Sequence, residues 1–139
     1  MHTLTLLDGL FAVCRLDAGA EVPAWAREPG AGETAFLSVT RTPDELSIIC
    51  AEPRVPATVR REGGFRLLKV EGPFDFTAVG VVSSLTAPLA GAGISVVVMS
   101  TFDTDYILVK QERVAEAAAA LAAAGHAWRA HASPPPRTP

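Results

Sequence analysis

Between positions 100 and 105 the chain gathers Ser100, Thr101 and Thr104, three hydroxyls, with Asp103 and Asp105, two carboxylates. Directly after them, Tyr106-Ile107-Leu108-Val109 reads as a β-strand. So dense a group of short polar side chains can close a tight turn by bonding neighbouring backbone. Alternatively, Thr101, Phe102 and Asp105 can form one wall of a small-molecule site. A strand has no need of an acid at position 105, which lowers β propensity, and a turn can use Asp103 alone. Two acids suggest two roles, with Asp103 solvated in the turn and Asp105 aimed at a ligand. The residues alone leave both readings open.

Other reactive groups are sparse. Cys14 and Cys50 lie in apolar runs, Phe11-Ala12-Val13-Cys14 and Ile48-Ile49-Cys50, which predicts buried reduced thiols. Neither has the spacing of a zinc site. His2, His126 and His131 are scattered, so no Ser/His/Asp or Cys/His grouping emerges. No Gly-rich loop precedes a helix, and no cofactor is expected. Nothing in the sequence supports an enzyme.

The elements that must position the 100–105 stretch belong to a small chain of 139 residues, 49 % hydrophobic and 19 % charged, as in a globular protein. A net charge of −3 argues against nucleic acid, whose phosphates need a basic face. No apolar run approaches 20 residues and Met1-His2-Thr3 lacks a basic leader, so a soluble cytoplasmic protein is expected.

In the first half, Leu4–Leu7 and Phe11–Leu16 read as strands around an Asp8-Gly9 turn or bulge. Pro23-Ala24-Trp25-Ala26 can start a short helix. Thr34–Thr40 and Leu46–Ala51 form a hairpin through Arg41-Thr42-Pro43-Asp44. In the second half the spacing predicts strands over Phe65–Val70, Ile94–Met99, Tyr106–Lys110 and His126–Ala130. It also predicts helices over Thr77–Ala90 and Gln111–Ala124, ended by Gly91, Gly93 and Gly125. That order is βαββαβ. Trp25 and Trp128 read as core or edge-covering aromatics, and Ser133–Pro139 as a disordered Pro-rich tail. With an offset of 61, Leu6-Leu7 falls on Leu67-Leu68, Thr40 on Thr101 and Asp44 on Asp105, as two copies of one small α+β unit would give.

The segments Leu85-Thr86-Ala87-Pro88-Leu89-Ala90, Gly93-Ile94-Ser95 and Ser100-Thr101-Phe102-Asp103-Thr104-Asp105-Tyr106 resemble tandem ACT-domain proteins. The likeness is to the bacterial branch related to the CASTOR arginine sensors and to the regulatory domains of aspartate kinases. Leu7-Asp8-Gly9, Phe11–Leu16 and Thr40–Ser47 share it. The resemblance implies an α+β fold of two ferredoxin-like βαββαβ units packed together. Unit 1 would span 1–61 with a degenerate helix, unit 2 would span 62–132, and 133–139 would be the tail. It further implies an amino-acid-binding regulatory module whose ligand sits where two ACT units meet. Carried over by position, the loop and helix start supply Asp75, Gly80 and Val81, and the turn supplies Thr101, Phe102 and Asp105. Ser95 and Val96 would come from a second chain, which implies a homodimer.

The chemistry agrees with that assignment. A zwitterion needs donors for its carboxylate, which amides at a helix start supply, and acceptors for its ammonium, which Asp105 or turn carbonyls supply. Phe102 can cover an apolar stem. Ala78 stands where the arginine sensors carry an acid, so a neutral amino acid is expected in preference to arginine. A structural or protein-interaction module with an empty pocket is the alternative. In either case a regulatory output must pass through a protein partner, with no role for nucleic acid or membrane.

Overall fold

The first strand sets the architecture. Leu4–Leu7 and Phe11–Leu16 are expected as separate strands, but a computed structural model, which describes residues 1–30 and 35–130, joins them in β1 (Thr3–Leu16). Gly9, at φ +91, supplies a conformation open to few other residues, and the ladder slips around it. Between the pairs Leu7–Leu67 and Phe11–Phe65, β1 has three residues against one on β4 (Arg61–Val70). Asp8-Gly9 is therefore a bulge inside a strand paired on both sides.

Chain order continues with β2 (Leu37–Arg41) and β3 (Leu46–Ala51), then β4 and α1 (Val81–Gly91). After these come β5 (Val96–Ser100), β6 (Asp105–Lys110), α2 (Val114–Ala123) and β7 (Ala127–Ala130). The sheet runs β2-β3-β1-β4-β6-β5. The beginning of β1, Thr3–Leu6, also pairs in parallel with β7, whereas its second part, Phe11–Leu16, pairs with β3. The sheet is thus continuous across residue 61. In the second half, the β4-α1-β5-β6-α2-β7 order matches the expected βαββαβ, with the start of β1 inserted between β7 and β4. In the first half the described helical residues are two short 3-10 turns, Ala24–Ala26 and Glu52–Arg54.

Strand alternation sorts the core. Leu4, Leu68, Val70, Ile107 and Val109 pack under Leu85 and Leu89 of α1 and Ala117 and Leu121 of α2. Farther along the sheet, Ala12, Cys14, Ile48 and Cys50 lack a helix and are covered by Ala26, Val55 and Trp25. Trp128 packs against the helix-covered cluster. Leu7, Phe11, Ile49, Phe65, Leu67 and Leu108 form a third cluster. Each fully buried Leu or Ile contributes about 1.5–3 kcal/mol over its exposed state.

Several boundaries move. α1 begins at Val81 rather than Thr77, because Gly80 holds φ +81, outside the helical region. Residues 111–113 wind as a 3-10 turn before α2. The start of the strand expected from Thr34, the end of unit 2 at 132 and the Ser133–Pro139 tail fall outside the described residues.

The two hairpins match in a different register from the expected one. Arg41 pairs with Leu46 around residues 42–45, and Ser100 pairs with Asp105 around 101–104. Both loops close alike. Thr42 N–H donates to Glu45 O at 2.9 Å, and Thr101 N–H to Thr104 O at 2.8 Å. The equivalent residues are Thr42 with Thr101 and Leu46 with Asp105, an offset of 59 in place of 61. Asp105 accordingly has an apolar counterpart, and Asp44 belongs to the turn.

Candidate functional site

Two segments far apart in sequence are fastened together beside β4. From the turn, the buried Thr104 hydroxyl donates to Val70 O, where β4 ends. From the loop after β4, Phe74 N–H donates to Asp103 O at 2.8 Å. A side chain at Gly72 would meet Asp103 O and Phe74 N at 3.1 Å, so glycine permits this close approach. Within the turn, the Thr101 hydroxyl donates to Thr104 O at 3.0 Å and accepts from Thr104 N–H at 3.3 Å. Much of the bonding capacity of Thr101 is therefore spent holding the turn in shape.

On the loop side, Asp75 accepts Thr77 N–H at Oδ1 (3.3 Å) and Ala78 N–H at its carbonyl (2.8 Å). Gly80 then caps α1 with no side-chain bond. The opening amides of a helix have no carbonyl partner within it, so Val81, Val82 and Ser83 present donors at this end. The dipole adds partial positive charge there.

Between the fastened segments lies an open cleft of about 520 Å³. Asp75, Gly80, Val81, Thr101, Phe102 and Asp105 all line it, as do Ala78, Ser83, Ser100 and Thr104. Ser95 and Val96 do not: Val96 opens β5, at the far end of this edge strand from Ser100, and Ser95 directly precedes it. Asp105 is half-buried and its Oδ1 accepts the Ser100 hydroxyl at 2.6 Å, across the last pair of the β5–β6 ladder. Among the lining residues are three carboxylates, Asp75, Asp103 and Asp105, and no Lys, Arg or His. Helix-start amides on one wall and carboxylates on the other give complementary partners for a molecule bearing both charges.

Phe76 escaped the sequence reading. Its ring stacks on that of Phe102, with centroids 5.6 Å apart and planes at 29°, although both are largely exposed (76 % and 80 %). Its signal was present: Phe74-Asp75-Phe76 puts two aromatics in a loop with no place in the helical pattern. Ser100 was equally findable as the residue facing Asp105 across a four-residue loop.

Elsewhere the chemistry is quiet. Burial pushes the Cys14 thiol up to about 11, and Cys50 is raised for the same main reason, so neither is a ready nucleophile. Among the described residues no three His, Cys, Asp or Glu stand together to hold a metal ion, and no helix is long and apolar enough to cross a membrane.

Comparison with known proteins places this site in context. Residues 60–123 match the ACT domain family. Residues 9–58 match a second family, described as an N-terminal domain. No curated protein matches. Among solved structures, protein Atu0741 from Agrobacterium tumefaciens is 41 % identical with a TM-score of 0.85, over 94 % of each chain. VC0802 from Vibrio cholerae, described as of unknown function and a possible transport protein, is 24 % identical with a TM-score of 0.69. That match covers 88 % of this chain and 89 % of the other. A putative C-terminal regulatory domain of aspartate kinase from Porphyromonas gingivalis W83 is 14 % identical at a TM-score of 0.55, covering 88 % and 96 %. These last two likenesses concern the fold alone. The kinship expected from the Ser-Thr-Phe turn holds for the ACT domain and for the fold of the kinase regulatory domains.

Proposed function

The chain belongs to the family of Atu0741, with an ACT domain match over residues 60–123, and from that premise we propose that it is a non-catalytic regulatory module that binds a free amino acid. The ligand occupies the cleft between the start of α1 and the 101–105 turn. Its carboxylate takes the amides of Val81, Val82 and Ser83, its ammonium goes to Asp105, and Phe102 covers its side chain. One observation carries this reading: six residues assigned to a ligand from two separate segments, Asp75, Gly80 and Val81 with Thr101, Phe102 and Asp105, line one cleft at an uncapped helix start. Ala78, also in the lining, favours a neutral amino acid over arginine, and with it a divergence in ligand within the wider CASTOR-type kinship.

We further propose that the two halves are ACT-like units packed side by side. The strand order supports this, since β1, β3 and β2 lie outward from the centre as β4, β6 and β5 do. A homodimer supplies Ser95 and Val96 of a second chain. In its favour, Val96–Ser100 is an edge strand without Pro or charge, the kind of edge that takes up a partner strand.

Thermal unfolding against the twenty common amino acids tests the ligand. A ligand at a hundred times its Kd stabilises the native state by about 2.7 kcal/mol, which raises the midpoint visibly. No shift with any of them leaves the protein-interaction module as the reading. Sedimentation at micromolar concentration tests the dimer, and a strict monomer with and without ligand removes Ser95 and Val96 from the site.

A further inference from the structure

Pro88 lies inside α1 and has no amide proton for the carbonyl four residues earlier. That carbonyl belongs to Ser84, and a different group serves it: His126 Nε2 stands 3.0 Å from Ser84 O. The other ring nitrogen, Nδ1, accepts the backbone N–H of His2 at 3.0 Å. One imidazole, 8 % exposed, thus joins the first turns of α1 to the chain entering β1. These two bonds fix a neutral ring with its proton on Nε2. His2 in turn stacks on His126, with centroids 5.5 Å apart, and meets the edge of Phe74 at 5.3 Å. Phe74 lines the cleft and holds Asp103 O.

We infer that this run of contacts is a proton-operated clasp: a proton on His126 Nδ1 releases the start of β1 from α1 and loosens Phe74 in the wall of the cleft. The proton turns an acceptor into a donor facing the His2 N–H, and two donors form no bond. From the β1 side the group facing the ring is His2, whose own imidazole lies stacked on it. α1 presents the Ser84 carbonyl to the ring, and the Leu121 carbonyl of α2 accepts the backbone N–H of His126 at 3.0 Å. The β4–α1 loop presents the Phe74 ring to His2. Glu71 and Arg129, on the neighbouring strands, are engaged with Thr5. Among the described residues neither imidazole is hydrogen-bonded or ion-paired to a carboxylate that would steady a charge. Burial first, then the amino terminus and His126, hold His2 below its ordinary value, so the folded chain resists a charge on His2.

That the clasp governs ligand affinity rests on the function proposed above, whereas the clasp itself does not, so the test uses no ligand. Amide exchange by NMR, corrected for intrinsic rates, is measured at pH 7.5 and 5.5. The reporters are Ala127 N–H, bonded to His2 O at 2.8 Å, and Phe74 N–H. In the native sequence, protection of both should fall about fivefold or more in acid, the equivalent of one lost hydrogen bond. In His126→Asn, whose amide oxygen can still accept from His2 and does not titrate, the fall should disappear. In His2→Phe, which keeps the backbone donor and the ring stack, it should remain. An unchanged native protein, an equal fall in His126→Asn, or loss of the response in His2→Phe would each overturn the clasp. The His2→Phe result decides if His126→Asn does not fold.

Discussion

At the scale of single residues, the 100–105 stretch resolves into a division of labour. Thr101 and Thr104 spend their hydroxyls on the turn and on Val70, while among the described residues the Asp105 carboxylate is bonded only to a neighbouring serine hydroxyl. Asp105→Ala should therefore leave the fold intact and weaken the best amino acid from the screen tenfold to a hundredfold, the loss of a charge-assisted bond of about 1.5–3 kcal/mol. Asp103→Ala should change affinity little. Calorimetry on both variants checks this, and equal affinities in both and in the native protein would reduce the stretch to a turn. Glu71 provides a pH dependence of known sign. The Thr5 hydroxyl, joined by Lys69 and Arg129 and opposed by partial burial, holds its carboxyl below 4.5. A lowered carboxylate contributes stability that is complete above the unfolded value and is lost as pH falls through the folded one. The stability advantage of the native protein over Glu71→Gln, read from urea midpoints, should be constant above about pH 5 and shrink below 4.5. Because His2 is common to both proteins, its own titration cancels in that difference.

At the scale of elements, Gly80 decides where α1 begins. Its φ of +81 costs an L-residue about 1–2 kcal/mol, and a Cβ there would find only Ser83 Oγ, at 3.8 Å. Gly80→Ala should lower stability by about 1 kcal/mol, measured by chemical denaturation, through conformation rather than clash. This boundary also marks how far the sequence is legible. Gly93 and Gly125 were readable as helix ends because apolar periodicity stops before them. Gly80 was not, because Thr77 and Ala78 fit a helix as well as they fit an Asx turn, and nothing local shows which backbone a glycine adopts. The hairpin register failed for a different reason. A slip of two residues leaves every side chain on its original face, so matching Asp44 to Asp105 preserved the alternation and concealed that Leu46 is the true counterpart. Six cleft residues were found because they sit within two short segments. Ser95 and Val96, expected from a second chain, lie outside the cleft of this one.

At the scale of the whole molecule, β1 prevents the halves from being treated as beads on a string. Its first residues separate β7 from β4 and its last ones carry β3. A fragment of residues 62–130 should therefore fail to fold, although it contains all but the first two residues of the ACT match, since β7 would lose its strand partner and β4 a ladder. The intact chain should melt in a single transition, with calorimetric and van't Hoff enthalpies equal. Circular dichroism of the fragment and calorimetry of the whole chain check these outcomes, and a folded fragment would show that β1 is dispensable. The same strand sets an order in time. Thr3 and Ala127 are partners across 124 positions of sequence, so during synthesis β1 must wait, with one edge bare, until β7 has emerged. Long-range closure of this kind slows folding and leaves an adhesive strand edge waiting for its partner.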